Sequence, residues 1–594
     1  MWHYEPPLRD MRYVIEDVLG LPAQWAKLPA FADLDAGTAQ QILDEAAKFA
    51  RDVLAPTNAG GDLEGCQWRG GEVRTPTGFG EAYRAFVAAG WPALACAPDA
   101  GGQGLPQVLN AALFEMLASA NHAWTMYPGL LHGAYECLHA HASPALKAAY
   151  LGKVVSGEWL ATMCLTEAQA GSDLGLLKTR AEAQADGSYR LRGNKIFISG
   201  GEHDLSDNIV HLVLARLQDA PAGTKGISLF LCPKFMPDGT RNALRCDGIE
   251  KKMGIKGSAT CVMSLEGATG WLIGEPNRGL MAMFAMMNSA RLHVAMQGLA
   301  HAENAHQNAL RYAQERLQSR AVVSPALRPV ASATAGAAAT VRPAGADPIA
   351  LQPAVRRTLL RQRVLVEGSR LVAYESAHLL DVSEQSSDAL RRATAHAHVS
   401  LLTPVLKAFL TDNGFQIASG ALQVFGGHGY IHDWGIEQCV RDSRIAMIYE
   451  GTNEIQAIDL LVRKLLPDGG AKFEALLDML DAGLPAPAQH TPAARAVIGR
   501  LRDATRAVVQ DTRADPELPY RIADDFLRAT GFMLIVQAWA RADAVSAEAA
   551  RTGNPFHAAK RVTAQHCFAY VLPEFDHALQ LVAAGRAPLA LLPT

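Results

Sequence analysis

The sequence has little that would direct it to a membrane, to nucleic acid or to an oxidising compartment. It has no uninterrupted apolar run of about 18 residues, which predicts no membrane-spanning helix. Its formal net charge is −4, so no basic surface for nucleic acid is expected. The 9 cysteines are scattered and include no Cys-x-x-Cys pair, a pattern typical of reduced thiols. We therefore expect a cytoplasmic globular protein.

Common cofactor and nucleophile motifs are also missing. No segment shows a complete G-x-G-x-x-G after a strand, a G-x-x-x-x-G-K-[ST] loop or a G-x-S-x-G elbow. His301 and His306 are spaced so that they do not share a helix face, which argues against a metal pair. The sequence therefore gives no support to nicotinamide, ATP or serine-hydrolase chemistry, and we predict no metal site.

With 594 residues the chain is too long for one core, and its texture changes along its length. Helical periodicity is interrupted by short alternating segments between roughly 161 and 275, which predicts a mostly α protein with a central β domain. Helical periodicity is predicted over 279–320, 355–382, 386–420 and 435–466. A low-complexity stretch, 321–353, is expected to form an exposed loop between the first two of these helices. The predicted units are an N-terminal extension (1–35), a helical domain (36–160), a β domain (161–275), a helical bundle (276–466) and an additional helical domain (467–594).

The segment Met163–Asp173, with the sequence MCLTEAQAGSD, predicts a strand end that leads into a loop of small residues. Such a loop presents many backbone N–H groups and hydroxyls, which suit a diphosphate or the polar edge of a heterocycle. An ordinary surface turn is the alternative that composition alone allows.

The segment Asn194–Gly201 has strand-like spacing. Phe197 and Ser199 are two residues apart, so they are expected on one face of the strand. An aromatic ring beside a hydroxyl suits a flat ligand, although a core phenylalanine is an equally good interpretation of Phe197.

The segment Arg441–Ile455 places Glu450 between an apolar, aromatic run and a glycine. This pattern indicates a carboxylate near the end of a buried helix, where desolvation would raise its pKa toward the range useful to a general base. The alternative is a solvent-facing glutamate at a helix end.

Read together, these segments resemble the acyl-CoA dehydrogenases. The matching pieces are Leu165-Thr166-Glu167 with Gly171-Ser172-Asp173, then Asn194–Ser199, Gln423–Tyr430, Arg441-Asp442 and Ile448–Gln456. Their order is that of the family, and the resemblance covers residues 36–466. The N-terminal Glu5–Met11 and the extra C-terminal domain are similar to a long subfamily that includes 3-methylmercaptopropionyl-CoA dehydrogenases.

The resemblance implies two helical domains around a barrel-like domain of eight strands, with FAD as cofactor. It also implies a homodimer or homotetramer in which a neighbouring protomer helps to bind each FAD. The positions that it assigns to FAD are Leu165, Thr166, Gly171, Ser172, Phe197, Ser199, Thr452 and Glu454 for the protomer's own cofactor, and Arg316, Gln318, Gln423 and Gly427 for the neighbour's.

The resemblance also implies positions for the acyl-CoA substrate: Ser172, Asn288, Arg291, Tyr449 and Gly451. Some of the matched positions depart from the family's commoner residues. Asn288 stands where the family usually has aspartate, and Phe197 stands where tryptophan is commoner.

By the same resemblance, Glu450 removes the α-proton of an acyl-CoA thioester, a hydride passes from the β-carbon to flavin N5, and an electron-transferring flavoprotein reoxidises the enzyme. An acyl-CoA oxidase, 3-methylthiopropanoyl-CoA specificity and a catalytically silent FAD-binding scaffold are the alternatives. Gly129 and Gly133 lie where the family's acyl pocket has its floor, and they predict either depth for a longer chain or ordinary helix-start chemistry.

Overall fold

The structure is a computed structural model that describes residues 2–322, 345–486, 488–587 and 589. The chain begins with a layer of helices whose apolar faces share one core. These helices are α1 (Leu8–Arg12), α2 (Leu21–Trp25), α3 (Ala36–Lys48), α4 (Thr57–Glu64), α5 (Phe79–Ala88), α6 (Gln107–Thr125), α7 (Leu131–His141), α8 (Pro144–Leu146) and α9 (Gly152–Val155), with the hairpin β1 (Gln67–Arg69) and β2 (Glu72–Arg74) after α4. All of α6 is buried, so the layer is built around it.

A 7-stranded sheet follows. Its strands are β3 (Leu160–Cys164), β4 (Arg180–Ala183), β5 (Tyr189–Ser199), β6 (Ile209–Leu217), β7 (Ser228–Pro233), β8 (Leu244–Ile249) and β9 (Thr260–Ile273). The strand order is β3-β6-β4-β5-β9-β7, with β8 paired to β9, and β7 also pairs with β6, which closes a ring of strands. The barrel-like domain is confirmed, with one strand fewer among the described residues than the eight that the resemblance implied.

A bundle of long helices packs against the first layer and the sheet. It consists of α10 (Gly279–Glu315), α11 (Pro353–Gln385), α12 (Ala389–Phe425), α13 (Ile436–Ser443) and α14 (Asn453–Ile458). The sequence predicted continuous helix over 435–466, but the structure interrupts it with a turn at 448–452. Among the described helices, none combines the length and apolar character that crossing a bilayer would require.

The low-complexity segment 321–353 lies mostly outside the described residues, but both of its flanks are described. The helix expected to reach Arg320 ends at Glu315, and the chain then pairs with the far flank. Gln318 N donates to Asp347 O at 3.0 Å, and Ile349 N donates to Arg316 O at 2.8 Å. The backbone after α10 is therefore extended and paired.

The C-terminal helices lie against this bundle. They are α15 (Ala471–Ala482), α16 (Thr491–Asp511), α17 (Leu518–Arg551), α18 (Pro555–His566) and α19 (Leu572–Ala584). The Phe532 ring of α17 packs edge-on against Phe409 of α12, with centroids 5.0 Å apart. Trp539 Nε1 donates to Val364 O of α11 at 2.9 Å. This region is packed on the bundle rather than held away from it.

Candidate active site

Glu450 lies in the turn that separates the short helical segment Arg444–Met447 from α14. Its φ is +57° and that of Gly451 is +85°, so two consecutive residues are left-handed. A non-glycine residue rarely adopts this region, and such positions cluster at functional sites. Glu450 therefore lies in a strained turn and not, as expected, at the end of a helix. Its side chain leaves the backbone in a different direction from that of a helical residue.

Side chains from distant elements hold the carbonyl groups of this turn. Gln456 Nε2 donates to Glu450 O at 2.9 Å, and Arg291 Nε donates to the same oxygen at 3.4 Å. Lys407 Nζ of α12 donates to Gly451 O at 2.7 Å. Three helices thus fix the backbone that carries the carboxylate.

The carboxylate of Glu450 is half-buried. Burial raises its pKa above the ordinary value, and the positive charges of Arg291 and Lys407 act in the opposite direction. Burial also lowers the pKa of Lys407 to about 7, while the negative charge of Glu450 opposes that change. A half-buried carboxylate with a raised pKa is suited to accept a proton near neutral pH.

Tyr449 directs its hydroxyl away from solvent into a buried polar network. It donates to Gln297 Oε1 and lies 3.1 Å from His122 Nε2. His122 Nδ1 in turn lies 2.8 Å from His301 Nε2. Burial lowers the pKa of His122 to about 4, so this network is neutral at physiological pH. The hydroxyl is already bonded, which leaves the ring for contact with a ligand.

The loop after β3 is anchored by a buried ion pair. Lys195 Nζ of β5 contacts Glu167 Oε1 at 2.9 Å and donates to Leu165 O at 3.0 Å. Burial opposes ionisation, yet Lys195 and Thr179 lower the pKa of Glu167 to about 2. Leu165 is therefore held in place while Ser172, farther along the loop, remains exposed.

Phe197 lies on a β-bulge in β5. The pairing with β9 shifts register between Lys195 and Ile198, and Phe197 has a φ of +59°. Its ring is 59% exposed, which rules out the core-phenylalanine interpretation. Ser199 is partly exposed, whereas Ile198 between them is buried. The bulge keeps the ring and the hydroxyl on the open side of the strand.

The link between α6 and α7 joins this strand to the Glu450 turn. Ala259 N, next to the residue that pairs with Ser199, donates to Tyr127 Oη at 2.8 Å. The preceding residue, Met126, places its sulfur 3.6 Å from Tyr449 Oη. The predicted flavin-binding strand and the predicted base therefore border the same region of the molecule.

Four predicted residues form a separate group at the far end of α10. Arg316, Gln318, Gln423 and Gly427 are all exposed. Tyr312, one turn before Arg316, stacks on Phe425 with centroids 4.3 Å apart, which brings the ends of α10 and α12 together. Along α10, Arg316 is about 37 Å from Arg291 at 1.5 Å per residue.

The remaining predicted residues are on or beside the turn. Thr452 caps α14 by accepting from Ile455 N at 3.4 Å, and Glu454 is exposed in the first turn of that helix. Asn288 is exposed on α10, while Arg291 is buried and turned toward Glu450 O and Asp459. The Gly171 backbone belongs to the exposed part of the loop after β3.

Asp62, His432 and Glu437 converge closely enough to resemble a set of metal ligands. Arg441 donates to both carboxylates, at 2.7 Å to Asp62 and 2.9 Å to Glu437. Lys256 lies 3.7 Å from Asp62 as well. The carboxylates are therefore neutralised by protein cations, as in an ion-pair network.

Family models match most of the chain. The models are described as acyl-CoA dehydrogenase N-terminal domain (37–158), middle domain (162–268) and C-terminal domain (326–465), and as acetyl-CoA dehydrogenase C-terminal like (472–593). A 3-methylmercaptopropionyl-CoA dehydrogenase of Ruegeria pomeroyi is 40% identical over 588 residues, 96% of each chain. The chain belongs to the acyl-CoA dehydrogenase family. These dehydrogenases are flavoproteins that oxidise a CH–CH bond.

Two solved structures support the fold. The acyl-CoA dehydrogenase of Bacillus anthracis complexed with FAD has a TM-score of 0.71 at 18% identity, covering 97% of this chain and 92% of that one. A chain from work on the electron transferring flavoprotein of Acidaminococcus fermentans has a TM-score of 0.57 at 25% identity, covering 71% of this chain and 96% of that one. The match to the Bacillus anthracis structure includes the additional C-terminal helices, because it covers nearly all of this chain.

The residues of this dehydrogenase fit FAD. Phe197 offers an exposed ring on a strained bulge, as expected of a surface that a flat heterocycle covers. Within the described ranges, the hydroxyls of Thr166, Ser172 and Ser199 make no hydrogen bond to protein. These groups are available to the polar edge and phosphates of a ligand.

Inspection of the sequence missed Lys407, Gln456 and the Glu167–Lys195 pair as residues that shape the site. A signal existed for Lys407, because it is the one charge in the apolar run Leu401–Leu410. A buried charge is costly unless it is paired or functional. The run does not reveal the partner of Lys407, which is Gly451 O in the Glu450 turn.

Proposed function

We propose that this dehydrogenase introduces the α,β double bond into an acyl-CoA thioester and that Glu450 is the base that removes the α-proton. The observation that carries the proposal is a half-buried carboxylate of raised pKa on a left-handed turn, which the link between α6 and α7 connects to the strand that we expect to bind the flavin. FAD, when bound, supplies the acceptor for the hydride that leaves the β-carbon. Glu450 supplies the other half of the reaction, the proton acceptor.

The backbone of Glu450 is suited to polarise the thioester. Its carbonyl is occupied by Gln456 and Arg291, whereas in the described part of the chain its N–H has no protein acceptor. A fixed N–H donor stabilises negative charge that develops on a carbonyl oxygen when the α-proton leaves. One residue thus provides both the base and a hydrogen-bond donor.

We propose a short, linear acyl group as the substrate, of the size of 3-methylthiopropanoyl. The relative that matches this chain over nearly its full length is named for that acyl group. The glycines at the expected pocket floor are closely packed, which supports a shallow pocket. A Cβ on Gly129 would lie 3.1 Å from the Phe114 ring, and one on Gly133 would lie 3.0 Å from Met286.

Acyl-CoA thioesters of graded length test this proposal. We expect 3-methylthiopropanoyl-CoA and butyryl-CoA to bleach the flavin absorbance rapidly, and kcat/KM to fall by about tenfold or more for chains of about ten carbons, because Phe114 and Met286 close the floor. A Phe114→Ala variant should recover part of the activity on long chains. A wild type that prefers long chains contradicts the short-substrate proposal and leaves Glu450 unaffected.

We further propose that an electron-transferring flavoprotein reoxidises the enzyme, as in the family. The likeness to a chain from work on such a flavoprotein supports this partner. The rate of reoxidation by that flavoprotein without oxygen should greatly exceed the rate in aerated buffer without it. The opposite order would identify an oxidase.

We propose a homodimer or homotetramer in which Arg316, Gln318, Gln423 and Gly427 contact the FAD of a neighbour. Their exposure and their distance from the Glu450 turn support a role at another protomer's site. An arginine that pairs with a phosphate in an interface makes a charge-assisted contact, which links cofactor binding to assembly.

Arg316→Ala should therefore lower FAD retention and loosen the oligomer together. Flavin absorbance after gel filtration and mass from light scattering measure the two effects. Arg551→Ala, at an exposed arginine whose side chain pairs with Glu548 on its own helix, is the matched control and should change neither. Normal flavin content with an unchanged mass in Arg316→Ala would remove the neighbour contact from the proposal.

A further inference from the structure

The backbone around Glu450 needs support from outside the turn. Glu450 and Gly451 are both left-handed, and a side chain at the first of these positions disfavours that conformation. The strain persists only where surrounding contacts determine the conformation. The hydrogen bonds accepted by the carbonyl groups of Glu450 and Gly451 are contacts of this kind.

Lys407 makes the shortest of these contacts. Its side chain is completely buried in α12, and its Nζ donates to Gly451 O at 2.7 Å and to Asn453 Oδ1 at 3.0 Å. Asn453 is tied to the same helix, since it accepts from Thr411 Oγ1 and donates to Ala408 O, both at 3.2 Å. One amine joins the end of the turn to the start of α14.

We propose that Lys407 is a positioning residue that holds the Glu450–Gly451 turn in the conformation required for proton abstraction. The proposal rests on Glu450 being the base. Burying an amine is unfavourable unless its hydrogen bonds are satisfied, and here one acceptor is Gly451 O in the turn and the other is Asn453 Oδ1 at the start of α14. Arg291 and Gln456 hold the carbonyl of Glu450, and Lys407 holds the next one.

The amine also contributes charge to the site. Glu450, Arg291 and Glu454 are the charged groups that act on it. Below neutral pH the ammonium form favours the ionised carboxylate of Glu450, so it lowers the pKa that burial has raised. Removing the amine should therefore raise the pKa of Glu450 as well as release the turn.

Lys407→Met tests both effects with a side chain of similar length and no donor. We expect kcat to fall by about 10- to 100-fold, because a small displacement of the base is costly, while KM changes little. The acid limb of kcat/KM should move to higher pH, because Glu450 loses a positive neighbour. Flavin absorbance and Tm report whether the variant folds.

Lys560→Met is the matched control. Lys560 is likewise buried and joins two helices, since its Nζ on α18 donates to Glu367 Oε2 of α11 at 2.8 Å, but it contacts neither Gly451 nor Asn453. Its loss should lower Tm without moving the acid limb. A shift of the limb in this control equal to that in Lys407→Met would attribute the effect to helix packing and overturn the proposal.

Asn453→Ala keeps the test decisive if Lys407→Met does not fold. It removes one acceptor of Lys407 and leaves the charge, so kcat should fall while the acid limb stays in place. Where both variants fold, their effects on kcat should be less than additive, since they remove one contact. If kcat is unchanged in Lys407→Met or in Asn453→Ala while Glu450→Gln is inactive, the positioning role of Lys407 is overturned and Glu450 remains the base. An active Glu450→Gln instead overturns the assignment of the base.

Discussion

Glu450→Gln is expected to lower kcat by about a thousandfold or more while FAD content and acyl-CoA affinity stay near those of the wild type. Loss of a general base typically costs about 10²- to 10⁴-fold. Glutamine preserves the size and the backbone N–H, so the thioester can still be polarised. Substrate binding should still change the flavin spectrum of the variant, but it should not bleach the flavin absorbance.

The pH dependence provides a second measurement on the same variant. In the wild type, kcat/KM should fall as pH decreases through the pKa of Glu450, because the protonated acid cannot accept the α-proton. Burial raises that pKa, so the limb should lie above the ordinary range of a glutamate. The residual activity of Glu450→Gln should lack this limb.

Glu548→Gln, at an exposed position paired with Arg551, serves as the control and should retain full activity. Turnover of Glu450→Gln above a tenth of the wild-type value would place the base elsewhere.

A protein truncated at Pro467, which lacks 467–594, is expected to aggregate or to lose FAD. Apolar side chains of α17 are fully or almost fully buried: Phe526, Leu527, Phe532, Met533, Ile535 and Val536. Polar contacts accompany them, including Arg541 with Glu375 at 2.7 Å and Glu574 with Arg361 at 2.7 Å. Truncation would expose a large apolar surface on α11 and α12 and leave their charges unpaired.

Two point variants test the packing of α17 on α12 without removing any part of the chain. A Cβ on Gly531 would lie 2.3 Å from the Phe409 ring, so Gly531→Leu should push α17 from α12 and cost about 1–3 kcal/mol of stability. Tyr520→Ser, at a side chain that is 55% exposed on the same helix, should leave Tm nearly unchanged. A truncated protein that is soluble, flavin-loaded and fully active would show that these helices are a tethered module instead.

Local patterns in the sequence were sufficient for much of the fold. Helical periodicity and short alternating segments predicted the helix, sheet, helix plan, because residues a few positions apart determine which face of an element is apolar. The ordered motifs around Thr166, Phe197 and Glu450 predicted the family and the base. The same helical periodicity predicted an additional helical domain over 467–594.

Other features depended on contacts between distant residues. The bulge that exposes Phe197 arises from the pairing of β5 with β9, and the alternation of residues could not reveal it. The helix predicted through 448–452 is broken because α10, α12 and α14 hold the carbonyl groups of the turn. The close packing of Gly129 against Phe114 and of Gly133 against Met286 was likewise not readable from the sequence.

The sequence by itself thus determined which carboxylate to expect as the base and which cofactor to expect with it. Only the tertiary structure decided how that carboxylate is held, by Lys407 from 43 positions earlier and Arg291 from 159 positions earlier in the chain. The motif around Glu450 specifies residues that are local in the chain. The orientation and pKa of the carboxylate depend on charges and donors that reach it only when separate helices pack together.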